Sequence, residues 1–316
     1  MADGVLLLAH GTADSVEEIP EYLNRVTQGR PLPEAAVEEV KHRFSAIGGS
    51  PLTRLTLEQG RLLADELGMP VYVGMRNWKP YIADVVHTMR EEGITRAVAI
   101  CLAPQNSRTS VGLYRKAVFA AAEGKLELHF VEHWAEHPDL IRAFAERLVA
   151  TRDAFSAEVG SPVPVLFTAH SVPCRTVISA PQPDPKAKPE PPDPYPVEAK
   201  RTAELVAERT GLALDQWFFA FQSQGMSGGP WLGPTVEDTL RELREKGVTN
   251  LIIQPIGFLC DHVEILYDID VAFRECATGL GMTVRRPDSL NDSRLLTLAL
   301  ADIARRGLAS QAAESS

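Results

Sequence analysis

Two histidines stand at the carboxyl ends of short apolar segments, where an open α/β sheet places its ligands. His10 follows the run 5–9 and His170 ends the run 163–169. An imidazole titrates near neutral pH, so at this position it can accept a proton or bind a metal ion. The alternative is a structural histidine bonded to a neighbouring strand end. Position alone gives the two interpretations equal weight, and the repetition favours the functional one.

A second candidate group lies at 257–270, where a predicted helix opens directly after a strand. Asp261, Glu264 and Asp268 are spaced i, i+3 and i+7, so they share one face of that helix. An acidic stripe is usually a solvated face, and Asp261 could instead be the N-cap. By periodicity alone this second interpretation leads. The apolar residues 257–260 directly before the helix indicate that its start is buried. This favours the interpretation in which the acidic side chains face a functional cleft.

Histidines combined with carboxylates suit transient handling of a divalent ion such as Fe²⁺ better than a closed zinc site. The cysteines Cys101, Cys174, Cys260 and Cys276 show no CxxC or CxxH spacing. The sequence has no GxGxxG, P-loop or GxSxG motif, so dinucleotide, nucleoside triphosphate and serine-hydrolase chemistry lack support.

The elements that must position these residues are predicted by apolar runs alternating with amphipathic stretches, a pattern typical of buried parallel strands and helices. We predict strands near 5–9, 70–74, 97–102, 127–131, 163–169, 216–221, 250–256 and 282–285. We predict helices near 55–67, 81–92, 110–122, 138–155, 196–210, 235–246 and 262–279.

The chain also contains an internal repeat. Residues 7–12 resemble residues 167–172, and the Pro-x3-Asp-x8-Gly spacing of 80–93 recurs at 234–247. In both halves a strand follows that glycine. A duplicated α/β fold explains this pattern better than chance, with both histidines facing one cleft between the halves.

The duplication predicts an N-terminal domain over 1–150 and a C-terminal domain over 151–306. A proline-rich insertion at 181–194 can be neither helix nor central strand, and we expect an extended, solvated excursion there. Residues 307–316 are predicted to be a frayed tail.

Composition excludes several classes of partner. The 316 residues include 32 Lys+Arg and 42 Asp+Glu, a formal charge of −10, and no basic cluster suited to nucleic acid is present. The N-terminus lacks a basic region, and the apolar run 5–9 is too short for export or membrane insertion. These features predict a cytoplasmic protein with no stable membrane insertion.

Five motifs in order resemble the ferrochelatase family, and the match extends from residue 5 to about residue 304. They are Ala-Ile-Gly-Gly-Ser-Pro-Leu at 46–52, Ala-His-Ser-Val-Pro at 169–173, Phe-Gln-Ser at 221–223, Pro-Trp-Leu-Gly-Pro at 230–234 and Gly-Phe-Leu-Cys-Asp-His-Val-Glu-Ile-Leu-Tyr-Asp at 257–268. The resemblance implies two similar doubly wound, Rossmann-like domains with parallel sheets around a porphyrin cleft. It also implies a haem-biosynthesis lyase that inserts Fe²⁺ into a porphyrin and releases two protons.

The resemblance assigns roles to several candidates. It implies that His170 is either the base that accepts a pyrrole proton or the metal-donating ligand, that Glu264 is the facing carboxylate, and that Asp268 lies on an acidic path for metal or protons. Iron enters as a substrate, and no organic cofactor is implied. An iron–sulfur cluster is not expected, because no cysteine cluster follows the last helix.

The similarity is closest to the bacterial branch that acts on coproporphyrin III, because the segment 30–42 is polar and acidic where the membrane-bound branch has an apolar lip. Arg43, Ser50 and Tyr114 match positions that hold propionates in that branch, and Trp231 joins them as a porphyrin-binding residue. His10 stands where the branch usually has an iron-ligating tyrosine, so an axial imidazole replaces phenolate.

Two departures affect other positions. Ala272 replaces the next carboxylate of the acidic path, and Thr27-Gln28 replaces a basic pair.

Three alternatives stay open at this point. The enzyme could prefer protoporphyrin IX, or it could insert cobalt or nickel into a sirohydrochlorin-type ring. A third alternative is a haem or coprohaem carrier that uses His10 as axial ligand and performs no chemistry. The expected partners are the porphyrin and transient contacts with neighbouring haem-pathway enzymes.

Overall fold

The computed structural model describes residues 2–178, 191–224 and 229–314. The eight predicted strands are all present, as β1 (Ala2–Ala9), β2 (Val71–Met75), β3 (Ile94–Cys101), β4 (Glu127–Val131), β5 (Val165–His170), β6 (Trp217–Gln222), β7 (Asn250–Pro255) and β8 (Thr283–Arg285). They form two four-stranded sheets with orders β2-β1-β3-β4 and β6-β5-β7-β8, and neighbouring strands are parallel. The predicted α/β fold with two similar, doubly wound parallel sheets is confirmed.

Helices connect the strands and cover both faces of each sheet. They are α1 (Ile19–Val26), α2 (Glu34–Ala46), α3 (Leu52–Leu67), α4 (Ile82–Glu91), α5 (Val111–Ala122), α6 (Pro138–Val159), α7 (Cys174–Val177), α8 (Tyr195–Arg209), α9 (Val236–Glu245), α10 (Val263–Leu266), α11 (Arg274–Gly279) and α12 (Arg294–Glu314). A π-helical segment, Asp268–Phe273, separates α10 from α11. The predicted helices did not include α1, α2, the short α7 or α12.

The internal repeat corresponds to matching loops after β2 and β6. The amide of Met75 donates to the carbonyl of Pro80 at 2.7 Å, and the amide of Phe221 donates to that of Pro234 at 2.8 Å. Because both sheets also have the same strand order, the two halves carry equivalent strand ends at equivalent places.

The hydrophobic core follows from the alternation of side chains along the buried strands. In β1, Val5 and Leu7 point into a core that also contains Val165 and Phe167 of β5. Leu6 of the same strand points to the opposite face, under α4 and α5. One core therefore joins the two sheets, and it fixes the position of their carboxyl ends relative to each other.

The C-terminal tail differs from its prediction. Residues 307–314 are helical and not frayed, because α12 continues to Glu314. A Cβ atom at Gly307 would lie 2.8 Å from the methyl carbons of Val98, so the missing side chain lets the helix pack tightly on β3. This packing stabilises α12 around Gly307. The small and polar residues of the tail did not indicate it.

The proline-rich insertion is described only from residue 191, and its residues 181–190 lie outside the described ranges. Asp193 is buried, and its carboxylate accepts hydrogen bonds from the amides of Arg108 at 2.8 Å and Tyr195 at 3.0 Å. The expectation of a solvated excursion is therefore wrong at Asp193, because these two bonds fix the end of the segment at the start of α8.

Two further features concern the outline of the molecule. None of the described helices is both long and apolar enough to cross a membrane.

The division of the chain at residue 150 stays a prediction. Helix α6 runs through that position, and α12 packs against β3 and β4 of the first sheet.

Candidate active site between the two sheets

A cavity of about 530 Å³ lies at the carboxyl ends of strands from both sheets. His10 after β1 and His170 at the end of β5 both line it, as the repeat predicts. The loop that follows β7 supplies Phe258 and Glu264 to the same cavity. Residues from the two halves of the repeat therefore meet in one cavity, as expected for a ligand site at the strand ends of α/β sheets.

His170 and Glu264 form an ion pair that faces this cavity. The distance between His170 Nε2 and Glu264 Oε1 is 3.0 Å, and about a third of each side chain stays accessible, 32% and 35% respectively. The other ring nitrogen, Nδ1, donates to the carbonyl of Ser171. Because both partners of the ring are acceptors, both nitrogens carry protons, and the resting pair is an imidazolium beside a carboxylate.

The pKa values of this pair follow from burial and mutual attraction. Burial alone would lower the pKa of His170, but the charge of Glu264 and its hydrogen bond raise this pKa above the usual value. Burial alone would raise the pKa of Glu264, but the charge of His170 and hydrogen bonds from His170 and His262 hold it well below its usual value. Both shifts favour the charged pair.

The pair predicts a pH-dependent contribution to the stability of the metal-free protein. Since the pKa of His170 is raised above 6.5, the contribution is fully present below pH 6.5 and is lost as pH rises through the native pKa. Since the pKa of Glu264 is lowered below 4.5, the contribution is present above pH 4.5 and is lost on acidification. The Tm difference between wild type and Glu264→Gln should be greatest between these values. A difference that grows towards pH 9 would contradict the ion pair.

Backbone and aromatic contacts hold the pair in place. The hydroxyl of Tyr195 donates to the carbonyl of His170 at 2.8 Å, and the ring of Phe258 meets the imidazole edge-on at 6.2 Å. His262 Nδ1 donates to the carbonyl of Cys260 at 3.0 Å, and its Nε2 lies 3.5 Å from Glu264 Oε2. Both oxygens of Glu264 therefore have imidazole neighbours.

Asp268 lines the cavity one turn beyond Glu264. Its carboxylate accepts a hydrogen bond from Ser223 and lies 3.3 Å from Nη1 of Arg43, which also pairs with Glu39 at 2.8 Å. Burial raises the pKa of Asp268 above its usual value, although the hydrogen bond from Ser223 acts in the opposite direction. Arg43 lines the cavity too, so this predicted propionate ligand lies beside the predicted acidic path.

The predicted acidic face is wrong at Asp261. The backbone at His262 is extended, with φ −164° and ψ −177°, so the helix begins only at Val263. Asp261 accepts hydrogen bonds from Ser289 at 2.6 Å and Asn291 at 2.9 Å and does not line the cavity. Spacing along a continuous helix therefore did not apply before residue 263.

His10 is held as a neutral imidazole on the wall of the cavity. The side-chain amide nitrogen of Asn77 lies 3.1 Å from its Nε2 and 3.3 Å from its Nδ1. Burial and, after it, the charge of Arg76 lower the pKa of His10 to about 4. A neutral imidazole has one unprotonated nitrogen, which is the form that binds metal ions.

Of the other predicted porphyrin ligands, Tyr114 and Trp231 line the cavity and Ser50 does not. Ser50 is buried and accepts a hydrogen bond from the hydroxyl of Thr12 at 3.0 Å. Thr12 itself faces the cavity, so Ser50 lies behind the wall. The role of Ser50 as a propionate ligand stays a prediction.

Arg76 is the main cavity residue that sequence reasoning missed. It directly follows β2, as His10 follows β1, so the rule that identified His10 would have found it. Its guanidinium carbon lies 5.5 Å from the ring centre of Tyr114. His262 and Tyr195, which contact the ion pair, were also not assigned a role.

The described residues contain no group of three or more His, Cys, Asp or Glu side chains arranged to hold a metal ion. Three imidazoles and two carboxylates nevertheless line the same cavity, from His10, His170, His262, Glu264 and Asp268. The arrangement offers proton acceptors and single metal contacts beside an apolar surface large enough for a flat ligand.

Comparison with known proteins gives a consistent result. The family model described as Ferrochelatase matches residues 2–308. A ferrochelatase of Acidobacterium capsulatum is 69% identical over 307 residues, which cover 96% of this chain and 94% of the relative. A coproporphyrin III ferrochelatase of Geobacillus thermodenitrificans is 32% identical over 322 residues and is covered to 98%, as is this chain.

A solved structure supports the fold. SirB from Bacillus subtilis with Fe³⁺ superposes with a TM-score of 0.59 at 12% identity, covering 99% of this chain and 98% of that one. At this identity the likeness concerns architecture alone, whereas the family model and the close relative concern the sequence itself. The chain therefore belongs to the ferrochelatase family, whose members insert Fe²⁺ into a porphyrin.

Proposed function

We propose that this ferrochelatase acts on coproporphyrin III and produces Fe-coproporphyrin. The observation that carries the proposal is that Arg43 and Tyr114, two expected propionate partners, line the same cavity as the His170–Glu264 pair. Coproporphyrin III has four propionates and protoporphyrin IX has two, so polar and cationic groups along the cavity favour the former. The Geobacillus relative, named a coproporphyrin III ferrochelatase, supports the same choice.

In the proposed mechanism, Glu264 is the first acceptor of a pyrrole proton. The imidazolium of His170 has no free lone pair while both its nitrogens donate, whereas the carboxylate can take a proton directly. Proton transfer to Glu264 would weaken its attraction for His170, which can then release its Nε2 proton to solvent, since about a third of each side chain is accessible. The freed Nε2 lone pair can then contact the incoming Fe²⁺. Once the iron has entered the ring, Nε2 takes the second pyrrole proton and Glu264 releases the first to solvent, so the ion pair is restored and two protons leave per iron inserted. His170 and Glu264 are thus the proposed catalytic and metal-contacting residues.

Asp268 and His10 have supporting roles in this proposal. Asp268 lies on the path of metal or protons, and this path ends early because Ala272 replaces a carboxylate. His10 provides a neutral imidazole for the iron of the product. A neutral ligand stabilises ferrous iron relative to an anionic phenolate, so it would alter product release.

Protoporphyrin IX is the alternative substrate. That substrate is delivered from a membrane in the branch with an apolar lip, but the corresponding segment here uses Val37 and Val40 to pack against a buried cluster around Phe44. This packing leaves few apolar side chains for a bilayer and supports a cytoplasmic location. Trp231 would contact the porphyrin, and transient contacts with neighbouring haem-pathway enzymes remain part of the proposal.

The substrate assignment is tested by anaerobic Fe²⁺ insertion into coproporphyrin III and protoporphyrin IX under identical detergent and salt conditions. We expect a higher kcat/KM for coproporphyrin III. A strong preference for protoporphyrin IX would contradict the assignment while leaving the ferrochelatase activity in place. A haem carrier without chemistry would give no insertion with either porphyrin.

A further inference from the structure

Arg76 is a cationic side chain in the cavity without an anionic partner. Its Nε is fully buried and has no hydrogen-bond partner among the described residues. Within those same ranges, no carboxylate lies at ion-pair distance from its guanidinium. Because protein atoms cover Nε, a ligand in the cavity can reach only the terminal guanidinium nitrogens, which have no acceptor among the described residues. A charged donor group without an acceptor costs free energy, so a partner for these nitrogens is expected to come from a ligand.

The carboxylates that line the cavity are already engaged elsewhere. Glu264 pairs with His170 at 3.0 Å, and Asp268 pairs with Arg43 at 3.3 Å. Arg43 differs from Arg76 in this respect, because it also contacts Glu39 at 2.8 Å. These carboxylates therefore do not compensate the positive charge of Arg76.

The surroundings of Arg76 suit a carboxylate on a flat apolar ligand. The guanidinium lies over the ring of Tyr114 at 5.5 Å, and Tyr114 itself lines the cavity. A planar guanidinium presents paired N–H groups that match a carboxylate, which an ammonium cannot do. The anionic groups of a porphyrin substrate are its propionate carboxylates.

We propose that Arg76 binds a propionate carboxylate of the porphyrin and so contributes to substrate selection. The inference rests on the proposed function in so far as it needs a propionate-bearing porphyrin in this cavity. Arg76 then holds an edge of the ring through a charged hydrogen bond, on the wall that also carries His10.

The test is equilibrium titration of the full chain with metal-free coproporphyrin III, followed by porphyrin absorbance. We expect Arg76→Gln to raise the Kd roughly 10- to 100-fold, the range for loss of a charge-assisted hydrogen bond. Arg76→Lys keeps the charge without the planar fork and should give an intermediate Kd. If the glutamine variant does not fold, the lysine variant decides the question, and an unchanged Kd overturns the proposal.

Arg115→Gln is the matched control. Arg115 follows Tyr114 in α5, is exposed and lies 3.9 Å from Glu132, outside the cavity lining. Its removal lowers the net positive charge by the same amount at a site adjacent in sequence to Tyr114 and should leave the Kd unchanged. If both variants bind coproporphyrin III equally weakly, the effect comes from the loss of positive charge at long range. That result would overturn the proposed direct contact between Arg76 and a propionate.

A second porphyrin separates this inference from the substrate assignment. Mesoporphyrin IX carries ethyl groups where coproporphyrin III has two of its propionates, and it keeps the other two. Weaker binding of coproporphyrin III by Arg76→Gln supports the anchor, and its unchanged binding overturns it. Weaker binding of mesoporphyrin IX as well would place the contact on one of the two propionates that both porphyrins carry. If the wild-type enzyme prefers protoporphyrin IX in turnover, the substrate assignment is wrong. The ratio of the Arg76→Gln Kd to the wild-type Kd would still test whether Arg76 binds a propionate.

Discussion

Replacing Glu264 with glutamine is expected to lower kcat for iron insertion roughly 10²- to 10⁴-fold, the contribution of a positioned acid–base group. The amide keeps the shape of the side chain but cannot accept a pyrrole proton. It also removes the negative charge that lies 3.0 Å from His170, so the raised pKa of that imidazole should fall. Porphyrin binding should be retained. Single-turnover insertion with separate Kd titrations measures the two effects.

Glu275→Gln is the control for this change. Glu275 is an exposed residue of α11 outside the cavity lining, and the substitution is chemically identical. We expect wild-type kcat from this control. An unchanged kcat in Glu264→Gln would remove Glu264 from the mechanism, whatever its effect on binding.

Replacing His170 with alanine is expected to reduce kcat by roughly 10²-fold or more, again with porphyrin binding kept. The substitution removes both the proposed metal-contacting imidazole and the cation that contributes most to holding the pKa of Glu264 well below its usual value. With that cation gone, burial is opposed by His262, and the pKa of Glu264 should be higher than in the wild type. The pH profile of the residual activity should therefore move to higher pH, which simple loss of packing would not cause.

Two histidine variants complete this experiment. His87 forms an exposed pair with Glu91 at 3.2 Å, so His87→Ala removes a comparable pair away from the cavity and should leave kcat unchanged. His10→Ala should reduce insertion by less than about 10-fold while altering the absorption of the iron product, because axial ligation tunes haem iron. A larger loss in His10→Ala than in His170→Ala would reverse the proposed roles.

The parts of the fold that the sequence predicts are those where buried strands dictate the residue types. Strands covered on both faces need continuous apolar runs, and β1 and β5 carry such runs into the shared core. The histidine at the end of each run then fixes where the cavity must lie. Pattern and spacing were sufficient for the sheets and for His10 and His170, because both depend on local residue types.

Other features depend on contacts that local patterns do not contain. Helix α1 buries Ile19 and Leu23 against Trp78 in a small separate cluster, so its apolar positions are too few to stand out. The predicted acidic face was wrong at Asp261 because the backbone at His262 is extended and the helix begins only at Val263. Residue spacing does not reveal where a helix begins. Asp193 is fixed by the amide of the distant residue Arg108 as well as by the nearby amide of Tyr195. Arg76 directly follows β2, so its position could have been identified from the sequence, but the buried Nε without a hydrogen-bond partner is visible only in the structure.

The central claim is tested most directly by competition between two porphyrins for one enzyme. Wild-type protein is given limiting Fe²⁺ without oxygen in an equimolar mixture of coproporphyrin III and protoporphyrin IX, and both iron products are quantified. The initial product ratio equals the ratio of the two kcat/KM values and does not depend on the active fraction of enzyme. We predict that Fe-coproporphyrin predominates at early times. Predominance of the protoporphyrin product would contradict the proposed substrate.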